Sequence, residues 1–231
     1  MPAKNNKVFK KLSATFDEAR QRMIREQLKS RRISDDRVLQ AMLSVPRQEF
    51  VDESARLDAY EDYPLPIGFG QTISQPFTVA FQCEALQLTG GERVLEVGTG
   101  SGYCAAVLSH LAKEVYTVER ISELAQQAAA TLHRLGYDNV HVVATDGTMG
   151  LPDYAPFNAI LVTAGGCSLP APLVDQLAPG GRIVIPVGRT LSGQSMLRYT
   201  KMPTEMQVEN LGSFSFVPLI GRYGWDEPEG N

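Results

Sequence analysis

The chain has 231 residues, a formal net charge of −4, 43% hydrophobic residues and 21% charged residues, ordinary globular proportions that exclude wholesale disorder and give no global pull toward nucleic acid or an acidic membrane. Its longest apolar runs, such as AILV from Ala159 and IVIPV from Ile183, are strand-sized and far short of the roughly 20 residues of a membrane-spanning helix. Three scattered cysteines (Cys83, Cys104, Cys167) and three histidines without a motif (His110, His133, His141) predict reduced, mostly buried thiols and no disulfide framework, metal site or cysteine nucleophile.

The basic start, KNNKVFKK, reads as a solvated tail over residues 1–20, and its lack of an apolar signal core predicts a cytoplasmic protein. From Phe16 to about Ser44 apolar residues recur at three and four spacing, and Ser34-Asp35-Asp36 marks a helix start between two helical segments. From Val45 to Phe69 the pattern is irregular and extended, and a helix follows with an apolar face through Val79, Phe81, Leu86 and Leu88. After Gly90-Gly91 come RVLEV, the helix YCAAVLSHLA, EVYTVE, the helix ISELAQQAAATLHRLG, HVVAT, NAILVT, the helix PAPLVDQLA closed by Pro179-Gly180-Gly181, and RIVIPV. Five strands alternating with helices predict an α/β, doubly wound, mostly parallel sheet, with N-terminal helices before it. The stretch SMLRYTKMPTEMQVENLGSFSFVP predicts a C-terminal antiparallel extension at a sheet edge. One domain over 1–231 is expected: 21–90 a helical and active-site loop region, 91–190 the cofactor-binding core, and 191–231 strands and a frayed tail, DEPEGN.

The first core strand feeds Glu96-Val97-Gly98-Thr99-Gly100-Ser101-Gly102, at the strand end where an open parallel sheet binds its ligands. A dinucleotide fingerprint would place its last glycine on Tyr103, so that pattern fails. Glu96 would repel a pyrophosphate and welcome a cationic amino-acid ligand, and S-adenosylmethionine carries both a sulfonium and an ammonium. Glu119 ends the second strand, where a carboxylate accepts both hydroxyls of a ribose; Asp146-Gly147 ends the third, where side chain or backbone reads an adenine edge. Singly each reads as a strand-end turn carboxylate; together they predict an adenosyl site.

The segments GQTISQP, VLEVGTGSGY, VYTVER, PGGRIVIPVG and FVPLIG, in this order, closely resemble the protein-L-isoaspartate O-methyltransferase family of the S-adenosylmethionine-dependent methyltransferases, over about Met23 to Trp225. The resemblance implies methyl transfer to the α-carboxylate of L-isoaspartyl residues in damaged proteins, followed by collapse of the ester to a succinimide. It implies Ser74 as the active-site serine, cofactor contacts from Gly98, Thr99, Gly100, Ser101, Gly102, Glu119, Asp146 and Gly147, and a site lined by Gln71, Thr72 and Ile73. VTAGGCSLP and Thr145-Asp146-Gly147 depart from the family pattern, the first beside the substrate groove.

The residues suit that chemistry. A carboxylate acceptor is ionised at neutral pH, its reference pKa being about 4, so no strong general base is needed. On the sequence alone Ser74 reads equally as a cap for the helix starting near Gln75-Pro76 and as a donor to the carboxylate. FVPLIG, with Val217, reads equally as a wall of an extended-peptide groove and as a buried edge strand. The alternatives are a carboxyl methyltransferase with a dedicated peptide or small-acid client, a non-catalytic adenosyl-binding module and, more distantly, an NAD-dependent oxidoreductase. Neither a nucleic-acid nor a membrane partner is expected, and a monomer is favoured.

Overall fold

The computed structural model describes residues 15–190 and 193–227, so the basic start and the last four residues of the expected tails lie outside them. Helix α1 spans 15–22 and runs on through a wider turn, Met23–Leu28, and a tighter one, Lys29–Arg31. Phe16, Met23, Ile24 and Leu28 are buried along one face, the seven- and eight-residue recurrence of an amphipathic helix. The expected tail over 1–20 is therefore too long: residues 15–20 are folded, because Phe16 packs against Tyr60 and Arg20 donates to the Leu43 carbonyl and the Tyr60 hydroxyl. Helix α2 (Asp36–Ser44) starts as expected, with the Asp35 carboxylate accepting from the Arg37 and Val38 N–H groups. It ends at Val45, which the following proline holds extended.

Two short turns, Arg47–Phe50 and Glu53–Asp58, lead into a small hairpin, β1 (Leu65–Gly68) and β2 (Gln71–Ile73). Helix α3 (Pro76–Leu86) follows, with proline at its first position. It is buried on nearly every side, because it lies between the sheet and the N-terminal helices.

Beyond it the five short blocks of Val, Ile and Leu form β3 (Arg93–Val97), β4 (Glu114–Glu119), β5 (Val140–Ala144), β6 (Phe157–Val162) and β7 (Leu177–Val187). Helices α4 (Tyr103–Ser109), α5 (Ser122–Arg134) and α6 (Ala171–Asp175) fall between them. β8 (Gln194–Lys201) and β9 (Met206–Phe214) complete a seven-stranded sheet of order β5-β4-β3-β6-β7-β8-β9, parallel from β5 to β7 and antiparallel beyond. The sheet buries both faces. Val94 packs toward α3 and α4, while Leu95, Val97, Ile160 and Val162 pack with Leu173 of α6 on the other side. Among the described residues no helix is long and apolar enough to cross a membrane.

One boundary differs from the sequence reading. The helix expected over PAPLVDQLA is only five residues long, and the chain is already strand by Leu177. Phe157 N–H donates to the Gln176 carbonyl at 2.9 Å and Leu177 pairs with Phe157, so sheet pairing draws Pro179-Gly180-Gly181 into an irregular strand start. The thiols differ too: Cys83 is buried but Cys167 is exposed.

Candidate active site

The chain reverses its winding direction at β3, which pairs with β4 on one side and β6 on the other. Val97 is level with both Val118 and Val162, so the three carboxyl ends open a crevice at one height, the usual ligand position in such sheets. The glycine turn leaves β3 here, held by Gly98 and Thr99 N–H bonds to the Val118 carbonyl. Gly98 sits at φ +101°, and a Cβ there would stand 2.4 Å from Thr163 Oγ1. Only glycine meets both demands.

Glu119 closes the other side of the crevice. Its carboxylate, 7% exposed, accepts from Gly100 N–H at 2.9 Å and Ile121 N–H at 3.1 Å. Each oxygen retains acceptor capacity for a ligand hydroxyl, and the crevice lining includes Glu119, Gly98, Gly100, Gly147 and Thr163. Asp146 lies at its edge. Its carboxylate caps Thr148 and accepts the Arg222 N–H at 2.8 Å. Burial works to raise the Asp146 pKa, but these hydrogen bonds outweigh it and hold the carboxyl below its ordinary value. Asp146 thus fastens the C-terminal segment to the site while its backbone neighbour Gly147 lines the crevice.

Glu96 departs from the sequence reading. It shares the face of Val94, is fully buried under the glycine turn, and lines none of the crevice chambers. Thr117 donates to it at 2.5 Å, and the Thr117 hydroxyl in turn meets that of Thr99 at 2.7 Å. Its Oε1 has no hydrogen-bond partner among the described residues. Burial pushes the Glu96 pKa up to about 7 against the Thr117 hydrogen bond, so the group supports the turn from beneath instead of meeting a ligand in the crevice.

The hairpin and the start of α3 form the opposite wall. Gln71 and Thr72 border the crevice, and Ile73 lies buried behind them. A second chamber of about 300 Å³ opens beyond, lined by Ser74, Gln75, Thr78, Ser215 and Phe216. The two share Thr72, Thr163 and Val217. Among the described residues the second chamber is lined by the hydroxyl residues Thr72, Ser74, Thr78, Thr163 and Ser215 and by no charged side chain and no histidine. Ser74 is not the helix cap: that position is Gln75, without a side-chain cap bond, and the Ser74 hydroxyl has no hydrogen-bond partner among the described residues. A deep recess joins the serine to the turn, with Thr99, Ser101 and Cys104 in its wall. The Cys104 thiol is pushed well up, first by its contact with Cys83 and then by burial, which argues against a thiolate nucleophile. Gly102 caps α4 and backs onto Leu132 outside the crevice.

Sequence reasoning missed two residues. Thr163, at the end of β6, borders all three cavities, and its hydroxyl points to the Val97 and Gly98 carbonyls; counting to the end of the fourth strand would have found it. Arg47, fully buried, donates to the Ser74 and Ala59 carbonyls, and no motif marks it. The departure at Gly165-Gly166 also gains a reason. Gly165 pairs with Pro218 and Gly166 with Val187, and a Cβ on Gly166 would stand 2.8 Å from the Ser168 carbonyl oxygen. These small residues let segment 217–219 pair with Gly165 just beyond β6 and line the crevice, where the sequence left FVPLIG open between a groove wall and a buried edge strand.

The residues lining the crevice fit S-adenosylmethionine: a carboxylate at the second strand end and glycine backbone at close approach. The family model for protein-L-isoaspartate(D-aspartate) O-methyltransferase matches residues 18–224. The chain is 53% identical over 211 residues to a protein-L-isoaspartate O-methyltransferase 1 of Syntrophobacter fumaroxidans, covering 91% of this chain and 98% of that one. Among solved structures, a protein-L-isoaspartate O-methyltransferase superposes with TM-score 0.81 at 32% identity, covering 89% of this chain and 67% of that one. A Plasmodium falciparum protein assigned to the same activity and solved with S-adenosyl-L-homocysteine gives 0.72 at 26% identity, covering 87% and 96%. The chain therefore belongs to the protein-L-isoaspartate(D-aspartate) O-methyltransferase family.

Proposed function

We propose that the chain transfers the methyl group of S-adenosylmethionine to the α-carboxylate of L-isoaspartyl residues in damaged proteins, with Ser74 as the residue that touches the acceptor. The observation that carries this reading is the pair of chambers meeting at Thr72, Thr163 and Val217, the second rich in hydroxyls and, among the described residues, free of any general base. The bound cofactor supplies an electrophilic methyl on a sulfonium. Glu119 would accept the ribose hydroxyls, the backbone at Gly98 and Gly100 would give close approach, and Asp146 with Gly147 would shape the adenine end. Glu96 acts at one remove, holding the turn through Thr117 and Thr99.

Ser74 would donate to one carboxylate oxygen and so hold the other facing the methyl group that the bound cofactor would supply. No proton moves. Catalysis rests on alignment and exclusion of water, for which Gln71, Thr72, Ile73 and Val217 form the walls. The next backbone nitrogen of the substrate then expels methanol from the ester, giving a succinimide that hydrolyses in part to ordinary aspartate. On this reading the chain works in the cytoplasm as a monomeric single domain.

An isoaspartyl peptide incubated with the chain and cofactor should gain one methyl by mass spectrometry and then lose methanol. A peptide that never gains the methyl would sink the reading.

A further inference from the structure

On the proposed reaction the second chamber receives an anion, yet among the described residues it has no cation in its walls. The buried positive charge nearest to it belongs to Arg47, which lies behind the Ser74 peptide and lines neither the crevice nor the chamber. Its Nη2 donates to the Ser74 carbonyl at 2.7 Å and its Nε to the Ala59 carbonyl at 2.6 Å, while its guanidinium stands 4.6 Å from the Tyr103 ring centroid. Nη1 is buried without a partner, and no carboxylate forms an ion pair with the group among the described residues. Such a charge is costly to bury.

A trans peptide plane points its C=O and the following N–H in opposite directions. With the Ser74 carbonyl drawn inward onto Arg47, the Gln75 N–H is turned outward, and both residues line the chamber. That N–H has no partner among the described residues. The guanidinium also polarises the peptide, strengthening the N–H as a donor. We propose that Arg47 is a positioning residue for the transfer: it locks the Ser74–Gln75 peptide so that the Ser74 hydroxyl and the Gln75 N–H together grip the substrate carboxylate. The claim rests on the proposed reaction and adds to it a second donor and the residue that aims it.

The test uses Arg47→Lys, which keeps the charge but cannot hold two carbonyls in one planar fork. At matched folded fraction, kcat with an isoaspartyl peptide should fall about 100-fold, the usual loss for one oriented donor. Affinity for S-adenosylhomocysteine should stay within roughly three-fold, as expected when only transition-state contacts are lost. A merely structural arginine would instead lower thermal stability and leave kcat per folded molecule unchanged, overturning the proposal.

The unchanged chain gives a second measurement, which decides the matter should the variant not fold. With S-adenosylhomocysteine bound, the Gln75 amide proton should shift downfield on adding an isoaspartyl peptide and not an aspartyl one; no shift overturns the proposal. Activity of the unchanged chain, measured first, separates the two claims. Its absence overturns the substrate assignment and this proposal with it, whereas its presence beside an unaltered Arg47→Lys overturns this proposal alone.

Discussion

Replacing Gly98 with alanine tests whether the glycine turn is built for close approach. The new Cβ would lie 2.4 Å from Thr163 Oγ1, and the backbone at φ +101° is one that side chains rarely adopt. The left-handed backbone costs about 1–2 kcal/mol. Moving the Thr163 hydroxyl off the Val97 and Gly98 carbonyls, between which it shares one hydrogen, costs about 1 kcal/mol more. The sum is about 2–3 kcal/mol, which in a domain of this size lowers Tm by roughly 4–12 °C. Calorimetry should show that loss, and titration should show weakened S-adenosylhomocysteine binding. The steric share is separable in a double-mutant cycle: with Thr163→Ala the clash is relieved, so the pair should be less destabilised than the sum of the singles by about 1 kcal/mol. A Gly98→Ala chain that melts with the parent and binds cofactor as well would refute the reasoning, and strict additivity would refute its steric part.

Ser74→Ala should lower kcat on an isoaspartyl peptide about 100-fold while leaving S-adenosylhomocysteine affinity as it was, read by steady-state kinetics beside calorimetric titration. Glu119→Ala removes the acceptor at the second strand end and frees the Gly100 and Ile121 N–H groups; cofactor Kd should rise about 10- to 100-fold, the worth of one charged hydrogen bond. Glu96 binds its proton more tightly in the folded chain, at about 7, so its contribution to stability is full below the unfolded pKa of about 4.5 and is lost as pH rises through about 7. Glu96→Gln should therefore match the parent at pH 4 and exceed it above pH 8 by roughly 3 kcal/mol, measured by urea unfolding across that range; parallel pH profiles would contradict the assignment.

The sheet was legible because each strand is a short block of Val, Ile and Leu bounded by turns, a pattern that a parallel sheet buried on both faces requires. Glu119 was legible for the same reason, being the last residue of such a block. Glu96 was misplaced although the strand period of two was available: it lies two residues from Val94 and so shares that buried face. The hairpin at Leu65–Ile73 escaped notice because strands of four and three residues leave too few positions for alternation to show. The short α6 reflects tertiary override, since pairing with Phe157 settles Leu177 as strand whatever its helical propensity. Arg47 was beyond reach. Its partners are carbonyls 12 and 27 residues away, and every non-terminal residue has a carbonyl, so no residue type records the contact.

On the proposed reaction the chamber beyond Thr72 and Thr163 accepts the free α-carboxylate of an isoaspartyl residue. The most direct test is methyl transfer from labelled S-adenosylmethionine to two peptides of one sequence, one with L-isoaspartate and one with L-aspartate at the same position. Base-labile label is expected on the isoaspartyl peptide and none above background on the other. Equal labelling of both, or labelling of neither, would contradict it.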